Sequence, residues 1–370
     1  MVGLAVLAPA GMLAELSQGL GVTVRDAGFL ITYGAVNLCL GSPIVSWLTT
    51  RIDRRTLLTV TLAIMALGHI ASAFADSYFT ILLVRLTMLV FVAIYTPQAT
   101  STIALIVPEK SRSSAISFVF LGWSLAIAVG LPFITLLATH FGWRETYFAI
   151  GILAGACALL NFLALPRGLR GNPTSLQSFA SIARNRILVL VLLITLLLTC
   201  GHFAVVVYLA PLLAKLAGAS AAVGGLFFAL LGGAAVAGNI AAAGIVTWLG
   251  LQRTLAAFML FMILGTTLWS AGAGSLVAMG AGIVIWGLGF TAVNSMQQAR
   301  LVDAAPMLAS ASVALNTSVL YVGQALGSAT GGWLYANEFY RTTGFVAAGF
   351  FVIAFATFAL TWERRKVLIR

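Results

Sequence analysis

Long apolar stretches recur along this chain, each closed by a short segment holding most of the local charge. Twelve can be read, near residues 1 to 14, 28 to 49, 57 to 75, 79 to 102, 113 to 138, 145 to 165, 187 to 212, 222 to 247, 253 to 272, 275 to 298, 310 to 334 and 343 to 362. A helix needs about 20 apolar residues to cross a bilayer, and most of these stretches supply them. They are too long and too uniformly apolar for the alternation of barrel strands, and lipid offers no partner to an open strand edge. Each is therefore predicted to be a membrane-spanning helix.

Composition sharpens that picture. Of 370 residues 61% are hydrophobic and only 8% charged, more apolar surface than a soluble core can bury. Basic loops resist translocation, so the side holding most Lys and Arg is cytoplasmic. The loops after the even-numbered runs and the C-terminus hold Arg51, Arg54, Arg55, Lys110, Arg112, Arg167, Arg170, Arg184, Arg186, Arg253, Arg300, Arg364, Arg365, Lys366 and Arg370, against Arg25, Arg144, Lys215 and Arg341 on the other side. This predicts a multi-pass protein of the inner (plasma) membrane with a cytoplasmic C-terminus. The net charge of +11 then reflects topology and contact with anionic membrane lipid. No basic stripe carries interleaved aromatics, so nucleic acid is not an expected partner. Met1 runs directly into apolar residues with no basic stretch, which argues against a cleaved signal peptide.

Candidate chemistry is sparse. Cys39, Cys157 and Cys200 lie inside apolar runs with no CxxC pair or histidine at ligand spacing, and read as small packing residues. Neither a metal nor any other cofactor is expected. An intramembrane enzyme would need paired acids or a histidine cluster in the spans, and His69 and His202 are isolated in sequence.

Weak internal repetition organises the chain. Arg55-Thr56-Leu57 recurs as Arg253-Thr254-Leu255, 198 residues on; Ser114-Ala115 and Gly130 find Ser310-Ala311 and Gly327 at offsets of 196 and 197. The agreement predicts a tandem duplication, with a six-helix half over residues 1–165, a cytoplasmic linker over 166–186 and a second half over 187–370. An even number of spans makes the repeats parallel. In the linker Leu176, Phe179 and Ile182 suit either a short surface helix or an irregular connection. The same offset places the counterpart of Ile187 before Met1. Residues 1 to 14 make only about 21 Å of helix, so the first helix reads as truncated, its start expected upstream.

Several motifs carry a resemblance. Ser46-Trp-Leu-Thr-Thr50-Arg51-Ile-Asp53-Arg54-Arg55 follows the second run. Gly122 and Gly130-Leu131-Pro132 lie in the fifth, with Phe141-Gly142-Trp143-Arg144 and Phe148 after it. Val84-Arg85-Leu86-Thr87 lies in the fourth, and Phe203, Tyr208 and Pro211-Leu212 in the seventh. This layout resembles the major facilitator superfamily, in particular its drug and sugar efflux branch of proton antiporters. The resemblance implies an all-α membrane fold of twelve helices, in which Arg51, Asp53, Arg54 and Arg55 lock a cytoplasmic gate and Gly122, Gly130 and Pro132 form a flexible antiporter motif. Departures are plain: Ser46 and Thr50 stand where the family has Gly and Asp, Asp53 where it has Gly, Leu89 where the fourth helix usually has Gly, and Ile134 where the fifth has Gly. Topology-setting charge and simple helix packing remain alternative readings of both motifs.

A cation inside the bilayer is costly, so Arg85 either faces a cavity or partner or snorkels to the interface. The resemblance places helices 1, 4, 7 and 10 around a central cavity, which makes Arg85, Tyr95, Gln98, His202, Tyr208, Trp286 and Asn294 the candidate substrate residues. Each alternatively serves a hydrogen bond between helices. The nine carboxylates, Glu15, Asp26, Asp53, Asp76, Glu109, Glu145, Asp303, Glu338 and Glu363, all sit at or near loops. Proton coupling, which the resemblance implies, would rest on Glu15, on His202 or His69, on the segment expected upstream of Met1, or on nothing at all. The expected function is export of a small amphipathic substrate by alternating access, by a protein working as a monomer. Uptake of a small organic anion is the alternative.

Overall fold

A computed structural model describes residues 1–49, 52–107, 122–123, 125–169, 181–305 and 308–368. Each apolar run, where described, is helical, and no strand occurs among the described residues. The helices are α1 (Val2–Leu7), α2 (Leu13–Leu20), α3 (Val24–Leu48), α4 (Arg54–Ala73), α5 (Tyr78–Val92), α6 (Tyr95–Ile106), α7 (Leu131–Phe141), α8 (Trp143–Ala164), α9 (Arg186–Val206), α10 (Leu209–Ala217), α11 (Ala221–Leu249), α12 (Leu251–Ala271), α13 (Leu276–Ala304), α14 (Ala309–Ala336) and α15 (Thr343–Leu368). Eight stretches among the described residues are long and apolar enough to cross a membrane, and Tyr78–Val92 and Ala126–Phe141 are shorter apolar helices.

Among the described residues four runs are interrupted, and a proline stands at each interruption. Proline has no amide hydrogen for the carbonyl four residues before it. Pro9 leaves Ala5 unserved, and the chain tightens into a 3-10 segment over Ala8–Met12 between α1 and α2. Pro97 leaves Ala93, at the gap between α5 and α6, and Pro211 leaves Val207, at the gap between α9 and α10. Pro132 leaves Ala128, and the preceding turn widens into a π segment, Ala126–Gly130, with the Leu131 amide donating to the Ala126 carbonyl.

The first helical stretch also runs further than its apolar residues. Glu15, Ser17 and Gln18 lie within it, and Val2–Leu20, 19 residues, makes about 28 Å of helix. Polar residues in the last turn end an apolar run without ending the helix. Gly21, at φ 63°, closes it, a backbone state that suits glycine.

The chain divides into two compact units, Met1–Pro173 and Thr174–Arg370. Residues 170–180, with Leu176 and Phe179, lie outside the described residues. Ile182, expected on a surface helix or in a linker, is fully buried against Leu188, Val191, Leu192, Leu301 and Ala311 in the second unit.

Within the second unit, helices approach backbone to backbone. A Cβ on Gly265 of α12 would lie against the Trp286 amide and 2.6 Å from the Gly282 carbonyl oxygen of α13. One on Gly327 of α14 would meet the Cys200 carbonyl of α9. Small residues let apolar helices pack where no hydrophobic drive joins them in lipid. In the first unit the Asn37 side-chain amide of α3 donates to the Leu86 carbonyl of α5.

Candidate functional site

The break in the first helical stretch builds the site of the first unit. With Pro9 unable to serve it, the Ala5 carbonyl accepts instead from Arg85 Nη1 at 3.4 Å, and the Val6 carbonyl from Nη2 at 3.1 Å. Arg85 is only 1% exposed, so its guanidinium is held inward rather than drawn out to an interface. The planar fork of arginine suits two acceptors one residue apart. Thr135 of α7 serves the same segment, its hydroxyl donating at 2.8 Å to the Gly11 carbonyl. Spans four and five thus both hold the irregular backbone of span one, and Gly130 lies where a Cβ would strike Leu4.

Behind Arg85 lies a buried aromatic group absent from the sequence expectations. Tyr147 of α8 is fully buried, and the Tyr147 and Tyr78 side chains lie close enough to Arg85 to interact with its charge. His69 of α4 stacks on Tyr147 with ring centroids 5.6 Å apart. Neither His69 nitrogen has a hydrogen-bond partner among the described residues. Arg85 itself has no carboxylate partner among them; the ion pair they hold joins Arg144 to Asp76 at 3.9 Å. Among the described residues, carbonyls, tyrosines and an imidazole surround this cation and no carboxylate balances it, an arrangement costly inside a bilayer.

The other expected residues of the first unit lie apart from this group. Tyr95 borders a cavity of about 330 Å³ with Met1, Val2, Leu62, Cys157, Leu160, Asn161 and Ala164. Gln98 is buried in α6, its carbonyl accepting from the Thr102 hydroxyl at 2.7 Å.

Two expected residues of the second unit, His202 and Trp286, do meet, and a third, Asn294, follows on the same helix as Trp286. His202 of α9, 1% exposed, lies edge-on to Trp286 of α13 with centroids 5.0 Å apart. It stacks flat on Phe290 at 3.5 Å and 4°. Asn294, one turn beyond, donates from Nδ2 to the Phe290 carbonyl at 3.0 Å. Phe290 was missed by sequence reasoning, although Trp286, Phe290 and Asn294 stand four residues apart on one helical face. Tyr208 is separate, stacked on Tyr335 at 5.8 Å beside the Pro211 break.

Of the gate motif, Arg51 lies outside the described residues. Asp53 caps α4, accepting from the Thr56 amide at 3.2 Å. The Arg54 amide donates to the Leu169 carbonyl at 2.9 Å, its side chain is buried, and Arg55 lies over the Phe162 ring at 4.1 Å. Asp before a helix start is a cap signal the family comparison obscured. Asp53→Ser, which keeps the cap, should therefore keep thermal stability, whereas Asp53→Ala should lose about 1 kcal/mol of it. Thermal melting measures the cap, and because serine removes the charge, transport by Asp53→Ser separates cap from gate: full stability with lost transport marks the charge as part of the gate, and full transport confines Asp53 to the cap. No atom of a described residue lies within 4 Å of a Cβ built on Gly122, and Arg300, expected in a loop, lies in α13, 5% exposed. Its guanidinium donates to Gln297 Oε1 at 2.8 Å and to the Thr361 hydroxyl at 2.7 Å and lies over Phe358.

Comparison with known proteins places this geometry. Two crystal structures of a bacterial homolog to the human lysosomal transporter Spinster share the fold. The inward-facing, unoccupied form matches with a TM-score of 0.75 at 16% identity, over 97% of this chain and 94% of that one. The inward-facing, occupied form matches with a TM-score of 0.74 at 16% identity, over 98% and 95%. The sequence model of the Major Facilitator Superfamily matches residues 1–321. Most of the chain is covered by that match, and the protein belongs to the major facilitator superfamily of membrane transporters.

Proposed function

We propose that this transporter exports small amphipathic compounds across the inner membrane by alternating access, as a monomer with a cytoplasmic C-terminus, in exchange for protons. Its moving parts are the halves 1–165 and 187–370, joined by the linker 166–186. The observation that carries this reading is the set of proline-made breaks in spans one, four and seven, the first held by Arg85 and Thr135. Discontinuous helices are where transporters of this kind bind and pivot. Arg85, Tyr95, Gln98, His202, Tyr208, Trp286 and Asn294 are assigned to substrate contact, and Arg51, Asp53, Arg54, Arg55, Gly122, Gly130 and Pro132 to gating. Glu15 is the group for proton exchange; it lies within Val2–Leu20, half-buried, with the Thr139 hydroxyl 3.4 Å away.

Uptake of a small organic anion is the second reading, favoured by the lack of a carboxylate partner for Arg85 among the described residues. Accumulation of amphipathic dyes in a strain stripped of other exporters separates the two. Export predicts less dye in cells carrying the protein and recovery to control when the proton gradient is collapsed. More anionic solute in those cells would support uptake, and equal levels of every compound would overturn both.

A further inference from the structure

The aromatic group between α9 and α13 holds more polar capacity than the chain satisfies. His202 Nδ1 and Nε2, Trp286 Nε1 and Asn294 Oδ1 are all buried atoms without a hydrogen-bond partner among the described residues. His202 is 1% exposed and Trp286 0%, while Phe290 and Asn294 are partly exposed. Buried polar atoms in folded proteins almost always find partners, and a cluster of orphans beside stacked rings marks a place where something else supplies them. The three rings are joined by the flat His202–Phe290 stack and the His202–Trp286 edge contact, and Asn294 is anchored one turn on by its bond to the Phe290 carbonyl of the same helix.

Among the described residues of α9, α11, α13 and α14, no charged side chain stands near this group. Along α9 the sole charged residue is Arg186, sixteen positions before His202 and about 24 Å away along the helix. Along α13 the charged residues are Arg300 and Asp303, and Arg300 stands about 15 Å along the helix from Phe290 with its guanidinium engaged. Helices α11 and α14 carry no charged residue. An ionic ligand would enter without a counter-charge, which a low-dielectric site penalises heavily.

We infer that His202, Trp286, Phe290 and Asn294 form a binding site for an uncharged, ring-bearing solute, whose carbonyl or hydroxyl oxygen accepts from the Trp286 indole and whose ring stacks against Phe290. The inference rests on the transport reading above and names the class of compound carried. Imidazole and amide groups can each donate or accept, so His202 and Asn294 suit solutes with either kind of polar group. Phe290, stacked over His202, is the face by which the ligand arrives.

A matched pair of probes tests this on the purified full chain. 7-Methoxycoumarin is uncharged and offers a ring carbonyl; coumarin-3-carboxylate adds an anion to the same ring system. The site predicts saturable binding of 7-methoxycoumarin, at least tenfold tighter than the carboxylate, weakened at least tenfold by Trp286→Phe. His202→Phe keeps the ring stack and deletes both nitrogens; it should weaken binding severalfold with an unchanged melting temperature, so the proposal stays testable even if Trp286→Phe misfolds. Tighter binding of the carboxylate, or undiminished binding in His202→Phe, would overturn the inference. Transport that discriminates neither probe nor variant would overturn it while leaving the transport reading in place. Selective, variant-sensitive binding with no transport of any compound would support the site and remove the transport reading.

Discussion

Arg85→Ala should reduce transport per inserted molecule to background and also lower the melting temperature. The second effect follows from what the side chain touches. Removing it leaves the Ala5 and Val6 carbonyls buried without their donors, each at a cost of about 1–3 kcal/mol. Arg85→Lys should restore transport in part, because a compact ammonium lacks the fork that reaches two acceptors together. Proline supplies an internal control. Pro9→Ala returns an amide hydrogen to the Ala5 carbonyl, so the double variant Pro9→Ala/Arg85→Ala should regain stability relative to Arg85→Ala while transport stays at background. That non-additive recovery would place both residues at one hydrogen-bonding site. Wild-type transport in Arg85→Ala would remove Arg85 from function, and an unchanged melting temperature would remove it from the clamp.

Gly265→Val should prevent the second unit from folding. A Cβ there falls on backbone atoms of α13, the Trp286 amide and the Gly282 carbonyl, which cannot swing aside as a flexible side chain can. Overpacking commonly costs about 1–3 kcal/mol even where neighbours yield. Here the two helices must separate, and whole-protein stabilities are only about 5–15 kcal/mol. Membrane accumulation should fall at least tenfold relative to Gly233→Val, since no atom of a described residue lies within 4 Å of the Gly233 Cβ position. Equal accumulation of the two variants would contradict the close approach of α12 and α13.

Much of this architecture was legible as hydrophobic pattern, because a bilayer imposes a length and an apolar composition that few soluble segments share. The interruptions were legible in principle as well: Pro9, Pro97, Pro132 and Pro211 each stand four residues beyond a carbonyl they cannot serve. What mends those breaks was not. Nothing in the neighbourhood of Arg85 announces that its guanidinium meets Ala5 and Val6, some eighty residues away. His202 and Phe290 meet across a similar gap, and only the packing of α9 against α13 joins them. Charge misled in the opposite direction. Arg300 looks like a loop residue by its position near Asp303, yet Gln297, Thr361 and Phe358 give it enough partners to stay buried. Asp53, a gate residue by resemblance, also makes the local bond of a helix cap, which the sequence around it announces.

The most direct test of the account is flux into inverted membrane vesicles. Vesicles carrying the protein, with an outwardly directed cytoplasmic face and an imposed proton gradient, should accumulate an uncharged amphipathic dye above control vesicles. Arg85→Ala vesicles with equal inserted protein should match the control. Equal dye in vesicles with and without the protein, or accumulation only in right-side-out vesicles, would contradict export by this transporter.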